Sequence, residues 1–251
     1  NVSSQLPNGN WHCGLKLNDT LDLPFTFTSE NNTIIIHNGE ENILVDEITF
    51  INDSIFIHMP IFDSEFRCRI NRESMNGFFY NDARKTSNII PFHAHQGLSF
   101  RFSDKPERTA LNITGRYHVV FEGENAESKD AVGLFTQDGN HLAGTFLTTT
   151  GDYRFLEGEV NGNRLWLSAF DGSHLFLFTA LIEKDSLYNG EFFSGQHWHD
   201  TWSAKKDENA KLLPEESLTT LKPGFDKINF TFPDENGKMI SLSDKRFNDK
   251  A

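Results

Sequence analysis

The sequence predicts an all-β protein, an antiparallel, lipocalin-like barrel of roughly ten strands, and three observations predict it. The chain carries 24 Phe against 3 Met and uses Thr, Asn, Asp and Gly heavily. Aromatic and β-branched residues favour strands, while Asn, Asp and Gly favour tight turns. Apolar residues recur with a period of two along most of the chain, the mark of half-buried strands. Turn dipeptides separate these runs at Asn8-Gly9, Asn38-Gly39, Asp138-Gly139 and Asn161-Gly162, as the short strands of a sandwich or barrel require.

Taken in order, Trp11, Cys13, Leu15 and Leu17 share one strand face, with His12, Gly14 and Lys16 on the other. Ile55, Ile57 and Met59 alternate with Phe56 and His58, and Leu98, Phe100 and Phe102 with Ser99 and Arg101. Tyr117, Val119 and Phe121 follow, then Leu142, Gly144 and Phe146. Leu175-Phe176-Leu177-Phe178 is apolar on both faces, so this strand should be covered by protein on both sides. Helix-forming composition is confined to Ala204 through Leu213, closed by Pro214.

The chain also matches itself. Gly9-Asn10-Trp11 resembles Gly115-Arg116-Tyr117; the run from Ile57 to Ser64 resembles that from Leu165 to Gly172; Met75-Asn76-Gly77-Phe78-Phe79 resembles Tyr188-Asn189-Gly190-Glu191-Phe192-Phe193. The same order in both halves suggests a tandem duplication, with half-repeats at about 9–84 and 115–204 that close together into one barrel without free edges. Phe62-Asp63 and Phe170-Asp171 should then occupy equivalent places, each Phe inward and each Asp capping the next turn. The barrel domain is expected over residues 1–215, followed by a linker, 216–224, that ends at Pro223-Gly224.

Composition bounds the function. With 23 Lys and Arg against 36 Asp and Glu, the net charge is −13, which disfavours a nucleic-acid surface. No apolar run approaches the roughly 20 residues of a membrane-spanning helix, so no transmembrane segment is expected in this chain. It opens on Asn1-Val2-Ser3-Ser4-Gln5, with neither a basic nor an apolar stretch; because no Met stands first, removal of a leading segment is expected.

Residues 225–251 differ in kind. Phe230-Thr231-Phe232-Pro233-Asp234-Glu235-Asn236-Gly237-Lys238-Met239-Ile240-Ser241-Leu242-Ser243-Asp244 spells two short strands around an Asp-Glu-Asn-Gly turn. This stretch resembles the opening of a redoxin, or thioredoxin-like, domain, ahead of the CxxC of that family. The upstream region resembles the extracytoplasmic region preceding the redoxin domain in bacterial TlpA-like thiol-disulfide oxidoreductases. The matching residues are Gly144 through Gly158, Leu167 through His174, and Trp198 through Ala204. The resemblance implies a periplasmic or cell-envelope location, with lipid anchoring through a removed N-terminal segment as one route. It implies as partner the C-terminal redoxin domain of the same parent chain. It supplies no catalytic residue here, so the chain alone is expected to be inactive and to act as an accessory or positioning module. The alternative is a lipocalin-like barrel that binds a small apolar ligand. No cofactor is indicated.

Four constellations carry chemistry in principle. Thr148, Thr150, Asp152 and Arg154 would share a strand face if the strand ran through Gly151, which reads more readily as a turn. With Asp171 and His174 they give a candidate ligand site of Thr150, Asp152, Arg154, Asp171 and His174, in which Arg154 would anchor an anion. The competing and favoured reading is a set of turn caps with one Asp–Arg pair. His197-Trp198-His199 and His93-Ala94-His95 each place two imidazoles on one strand face, about 7 Å apart. A metal would need further ligands, so no metal is expected and His197 and His199 are weak candidates only. Cys13 and Cys68 alternate with apolar neighbours and should point inward, as small hydrophobes or as a disulfide. Arg67 and Arg69 flank Cys68 but face away, so an activated thiolate is not expected. The Phe excess either lines a pocket or fills the barrel.

Overall fold

The computed structural model describes residues 5–123 and 128–247. The reading of the first four residues, and the last four positions of the redoxin-like stretch, fall outside them. The chain divides into two compact units, Asn1–Leu212 and Leu213–Ala251.

In the first unit every residue run with period-two alternation becomes a strand, with one exception. The first half contributes β1 (Gly9–Lys16), β2 (Asp22–Glu30), β3 (Thr33–Asn38), β4 (Glu41–Val45), β5 (Ile48–Ile51), β6 (Ser54–His58), β7 (Ser64–Asn71), β8 (Ser74–Asn81) and β9 (Ile89–Gln96). The second contributes β10 (Gly115–Glu122), β11 (Ser128–Asp138), β12 (His141–Thr148), β13 (Gly151–Asp152), β14 (Leu156–Asn161), β15 (Arg164–Phe170), β16 (Leu175–Glu183), β17 (Ser186–Ser194) and β18 (Trp198–Lys206). All pairings are antiparallel, so the lipocalin-like barrel class is what the structure shows. The strands nevertheless form two rings rather than one of about ten.

In the first ring the order is β4-β3-β2-β1-β9-β8-β7-β6-β5, and β4 and β5 are its two edges. In the second, β11-β10-β18-β17-β16-β15-β14-β12 closes on itself through β11–β12, with the short β13 attached to β12. In both rings the first strand pairs with the last (β1 with β9, β10 with β18) and the others run as a meander. Pairing first with last thus lets each half build its own ring, closed in the second and left open between β4 and β5 in the first.

Each ring has its own core. Trp11, Cys13 and Leu15 of β1 face Phe25, Phe66, Phe79 and Phe92 in the first. Tyr117, Val119 and Phe121 of β10 face Phe146, Phe178, Phe192 and Trp202 in the second. Aromatic side chains fill each interior by packing on one another: Phe66 and Phe92 in the first are 4.5 Å apart between centroids, Phe178 and Phe192 in the second 4.3 Å. Cys13 and Cys68 are free, buried thiols in the first core.

β15 and β16 join the two. Leu175 and Leu177 of β16 belong to the first core, whereas Phe176 and Phe178 belong to the second. The strand that is apolar on both faces is therefore covered on both sides, as expected. Phe170, at the end of β15, is fully buried among Phe25, Phe66 and Phe79, so the second barrel corks the first.

Three expectations are corrected. The exception to strand formation is Leu98 through Phe102, which lies in an irregular strap, residues 97–114, between β9 and β10; Arg101 is drawn out of any ladder by hydrogen bonds to both barrels. The helix expected from Ala204 is absent, because Ala204, Lys205 and Lys206 complete β18 against β10 and β17, and sheet pairing overrides local propensity. Phe170 ends β15, whereas Phe62 lies beyond the end of β6, is only partly buried, and is followed by Asp63, which accepts the Asp82 amide with its backbone carbonyl. Asp171 instead caps Ser173 and His174 with its carboxylate.

In the second unit a single helical turn, α1 (Glu215–Leu218), precedes a hairpin of β19 (Thr231–Pro233) and β20 (Met239–Ser241). Asp234 Oδ1 accepts the amides of Asn236 and Lys238 across its turn.

Candidate functional site: the barrel joint and the outer cleft

The hairpin turn between β3 and β4 places Asn38, Gly39 and Glu41 at the rim of the first barrel, facing β14 and the turn after β12. Glu157 on β14 accepts the Gly39 amide with Oε2 (3.0 Å) and pairs with His141 through Oε1. Asn38 is fully buried: its Nδ2 donates to the Phe170 carbonyl and its Oδ1 accepts the Phe170 amide, so a side chain stands in for a strand partner.

Arg101 enters this joint from the strap. Nε donates to Ser168 Oγ (2.8 Å), Nη1 to the His37 carbonyl (2.8 Å) and Glu157 Oε2 (3.1 Å), and Nη2 to Asn38 Oδ1 (3.1 Å) and the Ser168 carbonyl (3.2 Å). A guanidinium has five N–H donors, and here each has an acceptor. Burial still pushes the Arg101 pKa down, to about 10, with Glu157 opposing the fall. Burial also raises the Glu157 carboxyl, but Arg101, the Gly39 amide and His141 together outweigh it and hold the group below its usual range. Ser168 Oγ in turn donates to the Pro24 carbonyl of β2 (2.6 Å).

Of the five predicted ligand residues, the structure brings three together. Asp171, almost fully buried, meets Arg154 Nε at 3.2 Å and His174 Nδ1 at 2.9 Å, each on Oδ2. Burial favours its neutral form, but hydrogen bonds from the His174 ring and amide and the Ser173 amide keep it ionised, with a lowered pKa. Arg154 also pairs with Glu41 (2.8 Å), so its guanidinium is already met by two carboxylates. Its backbone lies in the left-handed region, φ 63°, a conformation that persists only where surroundings impose it. Asp152 supplies part of that constraint by accepting the Arg154 amide. Thr150 stands apart: its amide and hydroxyl bond Thr148 Oγ1 within the turn before β13.

Beside these groups a cleft of about 990 Å³ runs over the outer face of β11 and β12, with Glu40 and Glu41 of the first barrel on one wall and Asp152, Arg154 and Phe155 on another. Thr136, Thr145, Arg116 and Glu208 also line it. The cleft thus takes in Asp152 and Arg154 but not Thr150, Asp171 or His174.

The weak metal candidates do not converge. Arg84 Nη1 donates to the His197 ring (2.6 Å), and burial, then the Arg84 charge, lower the His197 pKa. His199 pairs with Glu191 and stacks on Phe193. Among the described residues no three His, Cys, Asp or Glu side chains are grouped to hold a metal. The thiols are not activated: burial raises Cys13 well above its ordinary value and Cys68 to about 12.

Sequence reasoning missed Arg101, Asn38 and Glu157. A signal was present in Phe100-Arg101-Phe102, a lone arginine between two phenylalanines, which a strand reading turned toward solvent.

Fold and site define a class: a protein of two antiparallel up-and-down barrels, clamped by a buried arginine. Within that class no family model matches the chain, and no curated protein does. A solved structure described as "a putative outer membrane protein" from Bacteroides fragilis aligns over 80% of this chain and 97% of its own, at 9% identity and a TM-score of 0.29.

Proposed function

We propose that this chain is a non-catalytic accessory module of an extracytoplasmic thiol-disulfide oxidoreductase, one that carries and positions a thioredoxin-like domain. The observation that carries the reading is the β19–β20 hairpin. Its sequence resembles a redoxin opening, it folds as strand, turn and strand, and Phe232 and Met239, with Phe230 just before it, are exposed, Phe232 at 62%. Large apolar side chains clustered in this way mark a surface that other protein covers. The buried, deprotonation-resistant thiols support the non-catalytic part, since exchange needs an accessible thiolate. A cell-envelope location and descent of the two barrels from one duplicated unit belong to the same proposal; the shared first-with-last closure of the two rings supports the latter.

The test is an insulin-reduction assay beside a Cys13→Ser/Cys68→Ser variant, with hydrogen exchange over residues 230–242. Reductase activity that disappears in the variant overturns the non-catalytic part. Amide exchange in the hairpin as slow as around Phe146 overturns the reading of an uncovered edge.

A second reading is favoured by the outer cleft, whose volume suits a small molecule. A ligand would lie there, between Glu40, Arg116 and Phe155, rather than in the filled barrels. Thermal-shift screening of wild type against Phe155→Ser distinguishes it, since a cleft ligand loses its stabilising effect in the variant.

A further inference from the structure

The outer face of the first barrel carries His12 on β1, His37 on β3, His93 and His95 on β9, and also His58 on β6, which pairs with Glu65. His12 lies directly across from His95 in the β1–β9 register, and Gly14 across from His93. Gly14 has a function here, because a Cβ at that position would collide with the His93 ring. The missing side chain lets that imidazole lie flat over β1, next to His12. The rings of His93 and His95 are 6.1 Å apart.

The strap lies over this cluster. Gly97 donates its amide to the Asn10 carbonyl, Phe100 packs on the His12 ring at 4.7 Å, and Arg101 then enters the joint. His12 Nδ1 is buried beneath with no hydrogen-bond partner. The charged and titratable groups acting on His12 are His93 and His95 from β9 and Arg101 from the strap; β2 opposes it with Thr26, between Phe25 and Phe27. None of these groups is a carboxylate.

We propose that His12 is a proton-operated latch: its protonation lifts the strap, withdraws Arg101 from the joint and uncouples the two barrels. A neutral His12 tolerates one unpaired ring nitrogen. An imidazolium there would carry a buried, unpaired N–H and face a second buried cation, Arg101. Burial first, then His93, His95 and Arg101, lower the His12 pKa. A base whose folded pKa is lowered binds more protons in the open state. The closed joint is therefore favoured above the ordinary histidine range and loses stability as pH falls through and below it. His37 is the built-in control: it sits on the same face, but its ring nitrogens bond Thr28 and Asn42.

The experiment is hydrogen exchange of the full chain at pH 7.5 and 5.0, corrected for intrinsic rates, over residues 97–103 and 166–171. We expect opening of both segments to increase about fivefold or more at the lower pH, the lower end of typical coupling, and this change to vanish in His12→Gln and persist in His37→Gln. Phe100→Ala should be open at both pH values, which keeps the test valid if His12→Gln folds poorly. An unchanged wild-type strap, or the same response in His12→Gln, overturns the latch. Opening of 97–103 without 166–171 overturns the coupling to the joint.

Discussion

Replacing Arg101 by Met keeps an unbranched apolar stem, shorter by two atoms, and removes all five donors. Arg101 is 7% exposed and Glu157 23%, so the pair is shielded. Removing one partner of a buried pair costs about 3–5 kcal/mol, mostly through the charge left behind. Glu157 retains the Gly39 amide and His141, and Asn38 Oδ1 retains the Phe170 amide, which places the loss near the lower end, about 3 kcal/mol. For a barrel unit of this size that is a fall in Tm of roughly 6–12 °C. Urea and thermal unfolding at pH 7.5 measure it. Arg101→Met/Glu157→Gln should recover part of the loss, since it removes the stranded charge. The sign with pH follows from the lowered Glu157 pKa: its contribution is present above the ordinary carboxylate value and disappears as pH falls through the lowered one. Arg101→Met should show less of that acid-side loss, since only the Gly39 amide and His141 then hold the carboxylate. A destabilisation under about 1 kcal/mol, typical of an exposed pair, would refute the reasoning.

Other outcomes are equally direct. Phe170→Ala should cost about 3–5 kcal/mol and speed amide exchange around Phe25, Phe66 and Phe79 in the first barrel, although Phe170 belongs to the second. Gly158→Ala should destabilise by about 3 kcal/mol or more, because a Cβ would strike the Trp166 carbonyl of the paired strand; unchanged unfolding would contradict that packing. Cys13 and Cys68 should resist a disulfide thiol reagent at pH 8 in the native protein and both react in denaturant, as buried groups with raised pKa values require.

Much of the fold was legible because strand alternation is a local property. Trp11, Cys13 and Leu15, and Tyr117, Val119 and Phe121, point into barrels as their spacing indicates, and Asn38-Gly39, Asp138-Gly139 and Asn161-Gly162 are hairpin turns. Even the two-sided character of β16 could be read. Ring closure could not, since whether β10 pairs with β18 or with a strand of the other half depends on long-range register. The candidate site was legible in part. Arg154, Asp171 and His174 do meet, but Thr150 and Asp152 serve the turn that shapes the Arg154 backbone. Arg101 was hidden because its acceptors are backbone carbonyls and side chains from three separate stretches, His37-Asn38, Glu157 and Ser168, and no local pattern encodes that convergence. Its flanking phenylalanines are explained by separate surfaces, Phe100 on His12 and Phe102 against Trp166.

The corking of one barrel by the other also has a consequence in time. The first ring is complete in sequence at Gln96, whereas Phe170 lies 170 − 96 = 74 residues further on. At about 5–20 residues per second, translation takes roughly 4–15 s to deliver it. Throughout that interval the emerging first ring lacks the side chain that fills its mouth, with Phe25, Phe66 and Phe79 around the vacancy. The half made first must therefore wait for the half made second, and a ribosome stalled between the two would hold an open, aromatic-lined ring.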